Sequence, residues 1–432
     1  MKALEKIYQQ FLECRSVSTD TRKIEKETIF FALKGGNFDG NDFALQALEQ
    51  GASMAIVDRV GITGDKVVFV DNALRALQEL ARMYRRSLAI PFVGLTGTNG
   101  KTTTKELITA VLSQKYRVSS TKGNLNNHIG VPLTVLAIPS DSEIAVVEMG
   151  ANHPLDIDEL TSIAMPTLGL ITNVGKAHLE GFGSFEGVKT TKGELYDYLK
   201  SVNGEVFLNT DNEHLMGMAQ ERGIATFVPY GKSAMKVAIL PTDLDHPFLR
   251  MELSADSVKR LELESQIVGG YNADNVLAAV ALGIFFDVEP MKIREAIRNY
   301  TPDNNRSQLM RTDNNLVIVD CYNANPTSMD AALVNFSKFN VARKVAILGD
   351  MLELGTASVE EHRKIITLVE DLKIGTVFFV GAEFKALEDA DHLFFSNTNE
   401  LIDYIKNNPI SDSLVLVKGS RGIKLESLLS LL

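Results

Sequence analysis

Residues 94–104 read Gly-Leu-Thr-Gly-Thr-Asn-Gly-Lys-Thr-Thr-Thr, the stretch of this 432-residue chain best equipped for chemistry. A glycine-rich loop ending in Gly100-Lys101-Thr102 can aim backbone N–H groups and the positive end of a following helix at an anion. It adds the Lys101 charge and offers the Thr102 hydroxyl to Mg²⁺. Gly97, Thr98, Asn99, Gly100, Lys101, Thr102 and Thr103 are therefore candidate contacts to nucleotide phosphates. The usual spacing puts a glycine where Leu95 stands; here glycines occupy 94, 97 and 100. Context decides against a bland turn, because the apolar run 91–95 reads as a strand. Leu107, Ile108, Val111 and Leu112 read as one face of a helix.

Three more side chains fall where they can join that loop. Glu148 closes the apolar run 144–147, and a strand-end carboxylate beside a phosphate loop can hold Mg²⁺ directly or through water. His178 follows the run 168–172, at a strand end that reaches the same cleft. Lys192 comes fourteen residues later in Lys189-Thr190-Thr191-Lys192-Gly193-Glu194. Each also has a structural reading: a solvated strand-end Glu, a core His, a solvated helix Lys.

The elements that must position these groups fall into three segments. The first, 1–88, alternates apolar runs (28–33, 54–58, 67–70) with helical stretches and closes on the helix Ala73–Ser87, whose charged end and the following Pro91 mark a boundary. The second, 89–302, alternates strands and helices around the phosphate loop, which predicts a parallel sheet with functional loops at the strands' C-terminal ends. The third, 303–432, repeats the rhythm with runs 316–319, 344–348, 376–380 and 413–417, each followed at once by Asp, Gly or Lys. That predicts a doubly wound α/β domain. The whole chain reads as α/β in three domains.

Composition narrows the partners. A net charge of −11 argues against nucleic acid, which needs a basic face to displace counterions. Two cysteines, Cys14 and Cys321, cannot build a disulfide framework and fit a reducing compartment. The N-terminal residues read as an amphipathic helix rather than a signal peptide, and no apolar stretch approaches a membrane span. A soluble, cytoplasmic monomer is expected.

The combination of 96–103 with Glu148-Met149-Gly150-Ala151-Asn152-His153-Pro154 and Ala177-His178-Leu179-Glu180-Gly181-Phe182-Gly183-Ser184 resembles the Mur ligases, ATP-dependent amide ligases of peptidoglycan synthesis. The resemblance implies a uridine-nucleotide domain, a P-loop ATPase-like central domain and a Rossmann-like third domain that closes about a hinge near 301–306. It implies Mg²⁺ held by Thr102, Glu148, His178 and Lys192, with Lys192 carbamylated to N6-carboxylysine. That modification suits a site with two cations, which favours an anionic carbamate over an ammonium.

Further matches run the length of the chain. The stretch 269–279 looks like the family's adenine-contacting helix start, carried by Asn272 and Asn275, although Asn272 is also a good N-cap candidate. Arg306 and Asp320 match residues near the ATP phosphates and ribose. The runs 320–329 and 348–355 are similar to the member that adds D-alanyl-D-alanine to UDP-MurNAc-tripeptide, with Cys321 a slight departure. The Asp-Asn-Pro-Arg motif of the tripeptide-forming relative is absent. On that resemblance Asn323, Asn325, Ser328 and Lys418 are candidate amine-side contacts, Lys418 opening a flexible basic turn. Ser18, Thr19, Arg22, Lys34 and Gly35 match the uridine-nucleotide domain. Asn124, Asn126 and Asn127 would line the path to the reacting carboxylate.

A sister Mur ligase is the nearest rival. Folylpolyglutamate synthetase lacks the leading domain, a GTPase would carry Asn-Lys-x-Asp, and a catalytically dead binding module would not keep the Lys101, Thr102, Glu148, His178 and Lys192 set.

Overall fold

The computed structural model describes residues 2–254 and 260–432. It is a three-domain α/β protein built on four sheets. The first sheet pairs Val17–Ser18, Ile29–Phe31, Met54–Val57 and Val67–Phe69, all parallel. Helix Ala73–Ser87 packs Leu77, Leu80, Ala81 and Tyr84 inward at helical spacing, and Asn72 caps it by accepting from the Arg75 N–H at 2.7 Å. Each of the fully buried leucines contributes about 1.5–3 kcal/mol.

The charged end of that helix is divided, Arg86 exposed and Arg85 turned inward. Arg85 is buried, donates to the Ala164 carbonyl at 2.7 Å and to the Met165 carbonyl at 2.8 Å, and stacks over the Phe92 ring. The first and second segments consequently share one continuous apolar core that runs from Ile7 and Phe11 to Leu215 and Met218.

The central sheet is also all parallel. Its spatial order is Val228–Tyr230, Glu205–Asn209, Leu168–Ile171, Phe92–Thr96, Ile144–Glu148 and Val118–Ser120. Phe92–Thr96 sits inside it, with Leu95 opposite Glu148 and Thr96 opposite Ile171. That register brings the loop 97–100, the turn after Glu148 and the segment 172–178 to one sheet edge. A three-stranded antiparallel sheet, Val237–Ile239, Phe248–Leu253 and Leu261–Val268, follows in the chain. The sequence reading does not include it.

The last sheet orders Gln308–Arg311, Asn315–Asp320, Ser413–Lys418, Lys344–Gly349, Thr376–Val380 and Leu393–Phe395. Only the first of these runs antiparallel to its neighbour, so the sheet is mixed. Val317, Val319, Ile347, Val415 and Val417 feed the core on one face; Ile318, Ala346, Leu348, Leu414 and Leu416 feed the core on the other. Both faces are covered, as a doubly wound sheet requires.

Candidate active site

The phosphate loop is braced by the neighbouring strand end. Thr98 N–H donates to the Asn173 carbonyl at 3.0 Å, Asn99 N–H to Asn173 Oδ1 at 2.9 Å, and Thr172 Oγ1 to the Asn99 carbonyl at 2.6 Å. Two of its glycines are required by space and by backbone angle. A Cβ at Gly97 (φ +150°) would lie 2.0 Å from Thr172 Oγ1, and one at Gly100 (φ +79°) would lie 2.4 Å from Asn275 Oδ1. Leu95 departs from the usual loop spacing because it still belongs to the strand, fully buried.

Lys101 begins the helix Lys101–Leu112, and its Nζ folds back onto the carbonyls of Gly97 (2.6 Å) and Thr98 (3.1 Å). Burial pushes its pKa down to about 8; Glu148 opposes that shift and Arg306 adds to it. Thr102 Oγ1 donates to Glu148 Oε1 at 3.2 Å, and Asn126 Nδ2 donates to the same oxygen at 2.8 Å. Thr121 Oγ1 accepts the Glu148 N–H at 3.0 Å. Glu148 Oε2 is buried without a hydrogen-bond partner.

An unpaired buried carboxylate oxygen is costly unless something absent from the protein itself completes it. Among the described residues no three His, Cys, Asp or Glu side chains form a cage. The pair Thr102 and Glu148 instead fits Mg²⁺, which takes one or two protein oxygens and fills its shell with phosphate and water. Thr103 is buried beside them in the same helical turn.

Lys192 lies on the buried face of helix Phe185–Ser201, not on a solvated one. Its Nζ donates to the Ala151 carbonyl at 3.5 Å and sits 5.3 Å from the Phe182 ring centre, with no carboxylate among the described residues bonded to it. Burial pushes its pKa well below the usual lysine value and the Lys101 charge pushes the same way; Asp156 and Glu194 oppose them. His178, in left-handed backbone at φ +49°, turns its Nδ1 to Glu353 Oε2 on the far side of the cleft. The structure thus joins Thr102 to Glu148 by a hydrogen bond and couples Lys192 to Lys101 by charge, while directing His178 across the seam.

The segment around Arg306 also folds inward. Asn305 (φ +56°) and Ser307 (φ +47°) flank Arg306, whose guanidinium stacks 3.9 Å from the Tyr322 ring centre and whose Nε is buried without a partner. Asn272 does not cap its helix through its side chain. Its own backbone is already helical, and its Nδ2 donates to the Val268 carbonyl (2.9 Å) and Ser307 Oγ (3.1 Å). Its Oδ1 accepts from Asn275 Nδ2, and Asn275 Oδ1 accepts from Thr104. An amide chain therefore links Ser307 to the phosphate-loop helix. Asn304, Asn305, Cys321, Tyr322, Arg421 and Glu426 line an adjoining cavity of about 210 Å³.

Several expected contact residues carry local structure here. Lys418 ends a strand, is 1 % exposed, and its Nζ bonds Asp320 Oδ2 at 2.6 Å, so its own side chain is committed to that pair. Asp320 Oδ1 accepts the Ser307 N–H at 3.1 Å. Asn325 and Ser328 form a capping box for helix Pro326–Ser337, and the Asn325 amide also exchanges hydrogen bonds with the Asn99 side chain (2.7 and 3.3 Å). Asn323 Oδ1 accepts the Ala324 N–H, and Asn127 Oδ1 accepts from Ile129 and Gly130. The Asn124 carbonyl accepts the Asn126 N–H at 2.8 Å.

At the edge of the first sheet, Ser18 and the neighbouring Thr19 open a turn in which Ser18 Oγ pairs with the Asp20 backbone. Arg22 forks onto both Asp20 oxygens with its guanidinium largely exposed. Lys34 faces Asp58 at 3.8 Å, and Gly35 leaves room for the Phe38 ring. Thr121 and Asn173 are the supporting residues that the sequence reading passed over. Asn173 stands two residues past the apolar run Leu168–Ile171, the signal that could have found it; Thr121 follows Val118-Ser119-Ser120, which carries no such signal.

Residues 13–88 match the family profile described as Mur ligase family, catalytic domain; 95–283 match the Mur ligase middle domain; 305–421 match the Mur ligase, glutamate ligase domain. The chain is 36% identical over 431 residues to the UDP-N-acetylmuramoyl-tripeptide--D-alanyl-D-alanine ligase of Bacillus subtilis, covering 95% of this chain and 92% of that one. Its fold is similar to MurF from Acinetobacter baumannii, at a TM-score of 0.86 and 29% identity, covering 98% of this chain and 97% of that one. It is similar also to the MurF ligase of Thermotoga maritima in complex with ADP, at a TM-score of 0.85 and 26% identity over 97% of each. The chain belongs to the Mur ligase family.

Proposed function

We propose that the protein is an ATP-dependent ligase that joins D-alanyl-D-alanine to UDP-MurNAc-tripeptide, giving the pentapeptide precursor of peptidoglycan. The observation that carries this reading is the single sheet edge where the Lys101 loop, the unpaired Glu148 oxygen and the buried Lys192, its pKa lowered by burial and by the Lys101 charge, converge, in a chain 36% identical to a relative of that name. The UDP-linked substrate is made and used in the cytoplasm on this reading. No helix among the described residues is long and apolar enough to cross a membrane.

Lys101 leaves its own loop carbonyls for the β- and γ-phosphates, joined by the N–H groups of 97–102. Thr102 and Glu148 would hold Mg²⁺, with His178 and Lys192 contributing, and the metal would offset the repulsion between peptide carboxylate and phosphate. A carboxylate oxygen of the tripeptide attacks the γ-phosphorus, the bond to the β-γ bridging oxygen breaks, and ADP leaves. The amine of D-alanyl-D-alanine then attacks the acyl carbon, loses its proton and expels phosphate. Arg306, beside the hinge, approaches the phosphates on closure, which also keeps water from the acyl phosphate. Lys192 gains its carboxylate when the neutral Nζ attacks CO₂, forming an N–C bond and releasing one amine proton to water.

Phosphate release from ATP tests the reading. It is expected only when UDP-MurNAc-tripeptide and D-alanyl-D-alanine are both present. Equal release with single amino acids in place of the dipeptide would favour a sister ligase.

A further inference from the structure

The sequence singles out 348–355, Leu-Gly-Asp-Met-Leu-Glu-Leu-Gly, without giving any of its side chains a task. In the structure this segment leaves the strand Lys344–Gly349 of the last sheet and lands on the central domain at His178. Glu353 Oε2 meets His178 Nδ1 there. An ionised carboxylate only accepts, so Nδ1 carries the hydrogen, and in the neutral ring the lone pair then lies on Nε2. The remaining ring contact among the described residues is the edge-on Phe182 ring, 6.4 Å between centres. Nε2 is thus the ring atom available to a ligand.

The landing is built, not incidental. Both partners adopt left-handed backbone, Glu353 at φ +64° and His178 at φ +49°, each costing of order 1 kcal/mol for a residue with a side chain. The Glu180 N–H donates to the Glu353 carbonyl at 3.5 Å, and Gly355 (φ +54°) packs where a Cβ would lie 3.3 Å from Glu180 Cβ. The seam continues through Lys176 Nζ to Glu361 Oε1 at 2.9 Å and through the Asn99–Asn325 amide pair. The His178 and Glu353 side chains are 26% and 56% exposed, and an ion pair that open contributes little to stability. Two strained backbones around a weak pair point to a role other than holding the fold together.

We infer that Glu353 is a positioning residue for His178: from the third domain it fixes the imidazole's tautomer and orientation so that Nε2 faces the metal. Metal-ligating histidines commonly donate their other ring N–H to such a carboxylate, and losing that partner costs about 10–100-fold in metal affinity. The metal-binding geometry of the central domain is then completed by a side chain that arrives only when 351–355 is docked. This inference rests on the reading of His178 as a metal ligand.

The test is Mn²⁺ binding, followed by electron paramagnetic resonance, on the full chain with a non-hydrolysable ATP analogue. Glu353→Ala is expected to weaken Mn²⁺ binding about 10-fold with an unchanged melting temperature. Glu353→Gln is expected to recover most of the loss, because its amide oxygen accepts the same N–H. In a His178→Ala background, Glu353→Ala should add nothing, and ¹⁵N spectra should show the His178 Nδ1–H tautomer in the wild type and its loss in Glu353→Ala. If His178→Ala weakens Mn²⁺ binding and Glu353→Ala does not, the inference falls and the metal-ligand reading stands. Additive losses in the double variant also overturn it. If neither variant changes Mn²⁺ binding, the reading of His178 as a ligand falls with it.

Discussion

The C-terminal edges of the central and last sheets carry similar residues in opposite states. Lys192 and Lys418 are both almost wholly buried near a strand end or the helix behind it. Lys418 is bonded to Asp320 at 2.6 Å, whereas Lys192 has a long bond to one carbonyl and no carboxylate. Glu148 leaves one oxygen unpaired; the buried Asp350 of the last sheet accepts from the N–H groups of Glu383 and Phe384, both at 2.9 Å. Lys418, Asp320 and Asp350 at the last edge all have protein partners and hold structure, the buried Arg306 Nε beside them being an exception. At the central edge Glu148 Oε2 has no protein partner among the described residues and Lys192 has only a long one, which is what the proposed catalytic role of that edge calls for.

The sharpest way to break this contrast is to exchange each lysine for methionine. Lys192→Met is expected to reduce ligation about 100-fold or more, while changing unfolding free energy by only about 1 kcal/mol, because it removes a buried amine that has no ionic partner. Lys418→Met should do the reverse in stability, costing about 3–5 kcal/mol by stranding the Asp320 carboxylate. Urea denaturation beside a phosphate-release assay reads both.

Next come the glycines. Gly100→Ala on the central edge and Gly381→Ala on the last edge both put a Cβ into left-handed backbone against a polar side chain, 2.4 Å from Asn275 Oδ1 and 2.2 Å from Asp350 Cγ. Each should lose about 1–3 kcal/mol of stability. Only Gly100→Ala should also weaken nucleotide affinity, by about 10-fold, read by calorimetric titration with an ATP analogue.

A smaller effect follows from the depressed lysines. The folded pKa of Lys101 is about 8 against 10.5 for a free lysine, and that of Lys192 is also lowered. Between those values the unfolded chain binds more protons than the folded one, so stability rises with pH from about 8 toward 10.5. The double variant Lys101→Met, Lys192→Met should flatten that slope; an unchanged slope would show that the central edge is compensated after all.

The smallest effect is expected at Cys321, on the last edge, where burial pushes the thiol up to about 12. Cys321→Ala should change ligation less than about twofold and stability by about 1 kcal/mol. Ellman's reagent should leave this thiol unmodified in the native protein.

Much of the central edge was legible in the sequence because it is local. The loop 94–104, Glu148 and the strands around them follow from apolar runs that end in chemically competent residues. What was not legible depends on distant partners. The Lys418–Asp320 pair spans two strands whose adjacency no local pattern reveals, and the His178–Glu353 contact joins different domains. Asn272 carries a good capping residue's identity, but the demand of Val268 and Ser307 for a donor turns its amide inward. The small antiparallel sheet did leave a trace, the alternation Leu261-Glu262-Leu263-Glu264, whose leucines are buried and glutamates exposed.

The central claim is that the sheet edge at Lys101, Glu148 and Lys192 transfers phosphate from ATP to the peptide carboxylate. Its most direct test uses UDP-MurNAc-tripeptide labelled with ¹⁸O in the reacting carboxylate, together with ATP and D-alanyl-D-alanine. One labelled oxygen should appear in the phosphate released for each amide bond formed. Ligation that leaves the phosphate unlabelled would contradict the acyl-phosphate route and the role assigned to that edge.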